Sequence, residues 1–206
     1  VLTAFTAGLL LITVSELGDK TFFIAVILAM RHSRRLVFTG VTLALAAMTI
    51  LSVIFGKVVS LLPKVYIHYA AIALFIIFGF KLLYEASQMP SSSCDTEVVD
   101  EAKEAVEKAD AQLPKQKTSL AILIEAFVLT FLAEWGDRTQ IATIALAARY
   151  NAIGVAVGAV LGHAICTAIA VIGGRIIAGR ISERQLTLAG GCLFLIFGIL
   201  AAVEGA

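Results

Sequence analysis

Two short stretches hold the side chains best suited to chemistry, ELGDKT at residues 16–21 and EWGDRT at residues 134–139. Each places a glutamate and an aspartate three apart around a glycine, followed by a basic residue and a threonine. At that spacing Glu16 and Asp19 are expected on one face of a helix, and Glu134 and Asp137 on one face of another. Neither stretch lies in polar sequence. Val1–Ser15 leads into the first and Phe22–Met30 leaves it, while Ser119–Ala133 and Ile141–Ala148 flank the second. A hydrocarbon core of ~30 Å needs ~20 mostly apolar helical residues, so each motif is expected inside one span made with its flanks. Four carboxylates and two basic groups then meet near the bilayer centre, where ionisable side chains are functional by default.

Carboxylates with neutral oxygen donors from Ser15, Thr21, Thr139 and Gln140 form a hard-ligand set. Such a set suits calcium, manganese or magnesium, whereas copper or zinc calls for histidine or cysteine. Gly18 and Gly136 add no bulk and ease a local break that frees backbone carbonyls. Four ionised acids set against Lys20 and Arg138 leave two negative charges, the complement of one divalent cation or of two protons. Metal and protons competing for such a site is the essence of alternating-access exchange. A structural reading competes: Glu16 with Lys20, and Glu134 with Arg138, are four apart and would form intrahelical ion pairs. In a combined reading the basic residue tunes or gates the carboxylates.

Other polar side chains in apolar surroundings carry less. Glu125 stands nine residues before Glu134 and has Ala7 as its repeat counterpart, so it is either a point of proton or ion access or a paired acid. His163 reads as a proton relay or as a packing residue. Gly154, Gly158 and Gly162, at four-residue spacing, read as a close helix-packing face. Cys94, Cys166 and Cys192 lack metal-type spacing and read as small apolar fillers.

The elements that position these groups follow from composition. The chain has 206 residues, 60% hydrophobic and 15% charged, a balance that requires lipid as solvent. Val37–Gly56, Ala152–Gly174 and Gln185–Val203 lack acidic and basic side chains, and Val65–Phe80 extends through Lys81 to Tyr84. The start has no basic region of a signal peptide and is read as part of the first span. An offset of 118 carries Glu16, Gly18, Asp19 and Thr21 onto Glu134, Gly136, Asp137 and Thr139, and Arg31 onto Arg149. One residue of slip then aligns Glu85 with Glu204. The expected fold is therefore an all-α membrane protein of six transmembrane helices in two inverted three-helix repeats. Residues 1–87 form the first repeat, 88–118 a cytoplasmic linker with a short helix, and 119–206 the second repeat. Arg31, Arg34, Arg35, the linker lysines, Arg175, Arg180 and Arg184 mark the cytoplasmic side, leaving both termini outside. The linker holds seven acids and four lysines, and Val98, Val99, Ala102, Ala105, Val106 and Ala109 recur at helical spacing, so a solvent-exposed helix is expected there.

The doubled E-x-G-D-[KR]-T motif in a six-helix chain resembles a family of cation/proton exchangers, the Golgi and thylakoid manganese and calcium transporters and their bacterial relatives. SELGDKTFFIA and LAEWGDRTQIA look most like the cyanobacterial and chloroplast members. The resemblance implies a cation site at Glu16, Asp19, Glu134 and Asp137, with Lys20, Thr21, Arg138 and Thr139 completing the pattern. It further implies an antiporter rather than an enzyme, with Mn2+ or Ca2+ as cargo, protons as counter-substrate and no prosthetic group. A plasma or thylakoid membrane is the implied location; no nucleic-acid partner is expected, and a homo-oligomer is left open. Two alternatives remain: an intramembrane aspartyl protease using Asp19 and Asp137, or an exporter of a small organic cation through an aromatic-lined cavity. Against the protease, Glu16 stands where a GxGD motif has its first glycine.

Overall fold

The computed structural model describes residues 1–89, 96–112, 118–177 and 183–204. The described residues are helical with short connections and contain no strand: α1 (Leu2–Glu16), α2 (Lys20–Arg31), α3 (Arg34–Val59), α4 (Lys64–Gln88), α5 (Thr96–Gln112), α6 (Ser119–Ala133), α7 (Arg138–Arg149), α8 (Ala152–Ile177) and α9 (Glu183–Glu204). Helices α3, α4, α8 and α9 are long and apolar enough to cross a membrane, and α6 with α7 makes a fifth if that pair, bent by 75°, counts as one span. Helix α1 is apolar, but its 15 residues rise only about 22 Å. Large apolar side chains cover the outside, among them Ile50 and Ile54 on α3, Ile77 and Phe80 on α4, Ile153 and Ile172 on α8, and Ile196 and Val203 on α9. Water does not solvate apolar surface of that extent, and lipid does.

The expectation that each glutamate–aspartate pair shares one helical face is corrected, because the local break that the glycines ease is a full interruption of the helix. Helix α1 stops at Glu16 and α2 starts at Lys20; α6 stops at Ala133 and α7 starts at Arg138. Gly18 and Gly136 both take φ of 80°, the left-handed region that glycine enters without a Cβ penalty. Asp19 and Asp137, in extended backbone, stand at the N-cap positions of the helices that follow. A glycine that leaves the right-handed region followed by an aspartate is a stop and a start in three residues. Alanine at Gly136 would meet no atom within 4 Å, so its whole effect is backbone strain. We expect Gly136→Ala to lose about 1–2 kcal/mol, read as a lower melting temperature in detergent, and Gly136→Asn to lose less, since asparagine visits this region more readily. An asparagine variant less stable than the alanine variant would contradict this origin.

Packing runs across the two halves. Helix α1 lies against α8, α6 against α3, α4 against α9, and α3 against α8. Gly158 of α8 sits on the backbone of Phe5 and Leu9, Gly154 on Ala4 and Phe5, and Gly162 on Leu9 and Thr13, so the glycine face is a close helix contact as expected. Two apolar clusters result, one around Phe22, Val37, Val41 and Ala126, the other around Leu11, Phe75, Leu146 and Phe194.

Helix α5 departs from the exposed helix expected of its charge. It packs on α2 and touches α6. Ala102 and Val106, one turn apart, are fully buried in the cluster that holds Phe22 and Val37. Lys20 Nζ lies 3.0 Å from Glu101 Oε2, and Arg31 Nη2 lies 3.7 Å from Glu107 Oε1. Small apolar side chains at i and i+4 let this acidic helix approach closely, while its outer face carries a Glu104–Lys108 pair at 2.6 Å.

Candidate functional site

The two breaks face each other. Glu16, Asp19, Glu134 and Asp137 each offer a carboxylate oxygen, and these four oxygens lie within 4.8 Å of one another. The pairs therefore do not share a helical face; a glutamate ending one helix and an aspartate opening the next converge through the turn between them. Glu16 and Glu134 are each 2% exposed, and the Oε1 atom of each has no hydrogen-bond partner among the described residues. Their other oxygens accept from threonine: Thr21 Oγ1 donates to Glu16 Oε2 at 3.3 Å and Thr139 Oγ1 to Glu134 Oε2 at 3.4 Å. Thr139 also lies within hydrogen-bonding reach of Glu16, and Thr21 of Glu134, so the two threonines stand between the two glutamates.

Equivalent residues have different partners. Asp137 Oδ1 accepts from the backbone N–H groups of Thr139 and Gln140 and caps α7. Asp19 makes no such cap and accepts instead from Arg138 Nη2 at 3.2 Å, an ion pair between the halves. Lys20 turns to Glu101 of α5. Neither Glu16–Lys20 nor Glu134–Arg138 forms the intrahelical pair of the competing structural reading, because the break leaves acid and base on different helices. The charge count changes accordingly: four carboxylates and one guanidinium leave three negative charges when all the acids are ionised.

Gln140, expected as a neutral oxygen donor beside the cluster, has its side chain engaged at the turn. Its Oε1 accepts from Gly136 N–H at 2.8 Å and its Nε2 contacts Met48 Sδ at 2.9 Å, so it braces the turn. Ser15 Oγ is buried without a hydrogen-bond partner among the described residues, and Ser15 lines a cavity of about 220 Å³ that reaches Asp19 and Arg138. Glu85 of α4 lines the same cavity, a placement that sequence reasoning missed; its register with Glu204 was the one available signal. Cys166, on α8, shares a smaller cavity with Glu16 and Thr21, and its Sγ donates to Thr13 O at 3.3 Å. Cys192 is exposed, and Cys94 lies outside the described residues.

Glu125 stays apart from the cluster, about 13 Å along α6 from Glu134. It is 5% exposed, and its Oε2 lies 3.8 Å from His32 Nε2. His163 is buried on α8 and its Nδ1 finds no hydrogen bond among the described residues. At the far end of α7, Arg149 bonds His68 Nδ1 at 2.9 Å, the Ala201 carbonyl at 2.9 Å and Glu204 at 3.2 Å. Tyr150 donates to the same Glu204 oxygen at 2.6 Å, and burial together with that carboxylate pushes its phenol up to about 12, so it remains a donor near neutral pH. An organic cation finds little aromatic lining here: Phe22 borders the small cavity beside Glu16, whose volume is only about 10 Å³, Phe23 is in the core, and Trp135 is 60% exposed.

Lipid-facing helices around a buried set of acids define an integral membrane protein with an intramembrane acidic site. Comparison with known proteins agrees and names the family. The chain belongs to the GDT1 family: the profile described as "Divalent cation/proton antiporter GDT1" matches residues 4–90 and 122–206. The chain is 58% identical to GDT1-like protein sll0615 of Synechocystis, over 97% of both chains. It is 45% identical to GDT1-like protein 3 of Arabidopsis thaliana, over 92% of this chain and 67% of that one. It is 43% identical to Protein PAM71-homolog, chloroplastic, of Arabidopsis thaliana, over 95% of this chain and 58% of the relative. No solved structure matches.

Proposed function

We propose that this chain exchanges a divalent cation, manganese or calcium, for protons by alternating access, with the cation held by Glu16, Asp19, Glu134 and Asp137. The observation that carries this reading is the four oxygens within 4.8 Å, two of whose glutamates each keep a buried oxygen without a hydrogen bond. Oxygens so placed need a counter-charge, and hard divalent ions take carboxylate and hydroxyl ligands of this kind. Three net negative charges exceed one divalent cation by one, so cation and proton together neutralise the cluster, and protons replace the metal when it leaves. Thr21, Thr139 and Ser15 supply neutral oxygens, and Arg138 adjusts the charge.

The same proposal extends to topology. Each broken pair, α1 with α2 and α6 with α7, acts as one span, giving six in two inverted three-helix halves. The exchanged packing of α1 on α8 and α6 on α3 supports that reading, as does the repeat in sequence. The cavity reaching Asp19 lies between the end of α4 and the start of α9, the side assigned as cytoplasmic by its arginines. The Arg149, Glu204 and Tyr150 contacts close the opposite side, where both termini lie. A thylakoid or inner membrane fits the cyanobacterial and chloroplast relatives.

Purified protein in liposomes with an internal pH dye tests the reading. Imposed gradients of Mn2+ or Ca2+ should each be examined, and at least one should drive proton flux; gradients of lysine or arginine should drive none. Flux with the amino acids and none with either metal would overturn it.

A further inference from the structure

We propose that Glu85 is the second resting place of the Arg138 guanidinium, so that a cation entering the four-carboxylate cluster moves Arg138 from Asp19 to Glu85. The inference rests on the cation reading given above and names the residue that lets the arginine leave. Arg138 holds Asp19 through one hydrogen bond of 3.2 Å, without the two-pronged geometry of a strong arginine–carboxylate pair. Asp19 also belongs to the set of four acids, so a divalent cation there repels the guanidinium and competes with it for the same carboxylate. A half-buried guanidinium displaced without another acceptor would oppose cation binding.

Glu85 meets that need. It shares the wall of the 220 Å³ cavity with Asp19 and Arg138, and among the described residues it is the one further carboxylate in that wall. It also lies within electrostatic reach of the guanidinium. Its present partner, Lys81, is 3.7 Å away with a side chain 67% exposed, a contact that gives way easily. The cavity provides the room, and Ser15 Oγ, buried in its wall without a hydrogen bond among the described residues, offers one at the Asp19 end.

The opposite end of α7 shows the same chemistry completed. There Arg149 bonds Glu204, the residue aligned with Glu85 in the repeat, at 3.2 Å. Helix α7 thus carries an arginine at each end, one joined to the glutamate of α9 and one facing the glutamate of α4. Lys20 cannot substitute while it pairs with Glu101 on α5.

The test is Mn2+ binding to purified protein in detergent, read from the free-ion electron paramagnetic resonance signal, so that variants inactive in transport can still be measured. Glu85→Gln should weaken Mn2+ binding about tenfold, and Glu85→Asp should restore most of it. In an Arg138→Gln background, or Arg138→Met if the first does not fold, Glu85→Gln should change Mn2+ affinity less than twofold. Unchanged affinity in Glu85→Gln would overturn the proposal. So would a tenfold loss that persists without Arg138, which would make Glu85 a direct attractor of cations. Glu16→Gln measured alongside separates the two readings: if it binds Mn2+ like the unaltered protein, the four-carboxylate site itself fails. If it loses binding while Glu85→Gln does not, only the movement of Arg138 fails.

Discussion

Glu16→Gln and Glu134→Gln should each lower cation-driven proton flux in liposomes by about 100-fold or more, corresponding to about 2.7 kcal/mol. Each change removes a charged ligand and replaces a buried oxygen that lacks a hydrogen bond with an amide. Charge-assisted contacts in a dry site are worth more than neutral ones, and the amide also ends any proton uptake at that position. Gln140→Leu is the informative contrast. Its carbonyl already accepts from the Gly136 N–H, so it should affect stability more than flux, which should fall by less than about tenfold if hydrogen-bond loss of roughly 1 kcal/mol is all that is removed. If the glutamine variants transport normally and Gln140→Leu does not, the ligand set has been drawn from the wrong residues.

The second large effect is on folding. In Gly158→Leu the added side chain begins at a Cβ that would stand 3.0 Å from the Leu9 backbone nitrogen, with the Phe5 backbone also in the way. Backbone on a packed helix cannot step aside as a side-chain tip can, so α1 must separate from α8, displacing the helix that ends in Glu16. A loss of about 3 kcal/mol or more is expected, the upper range for overpacking, measured by thermal unfolding in a fixed detergent. Gly190→Ala is the control, because its Cβ would meet only Leu82 Cδ1 at an ordinary 3.8 Å. That substitution should be neutral or stabilising by up to about 1 kcal/mol, given the helix preference of alanine over glycine. Equal losses in the two variants would show that close approach of α1 and α8 does not limit stability.

Much of the candidate site was legible because it is written twice. Glu16, Asp19, Glu134 and Asp137 stood out by type, spacing and apolar surroundings, and the structure brings their oxygens together. The glycine face of α8 was equally plain, since residues without side chains at four-residue intervals serve close packing. The mistaken step was to put each acid pair on one helical face. Three-residue spacing fits a continuous helix and fits a helix end followed by a new start; the two differ only in whether the intervening glycine leaves the right-handed region.

Sequence alone determined that the chain is solvated by lipid, that two like acidic motifs lie within apolar segments, and that glycine gives each motif the freedom to break. Those properties belong to residues and their near neighbours. Tertiary structure decided the partners: Arg138 reaches Asp19 in the other half, while Lys20, at the equivalent position, is drawn to Glu101. It also placed Gln140 on the turn, docked α5 through Ala102 and Val106, and brought Glu85 into the cavity beside Arg138. The physical reason is that a repeated motif has the same local preferences twice but not the same surroundings, since one acidic helix between the halves packs on α2 and leaves α7 free to turn its arginine inward.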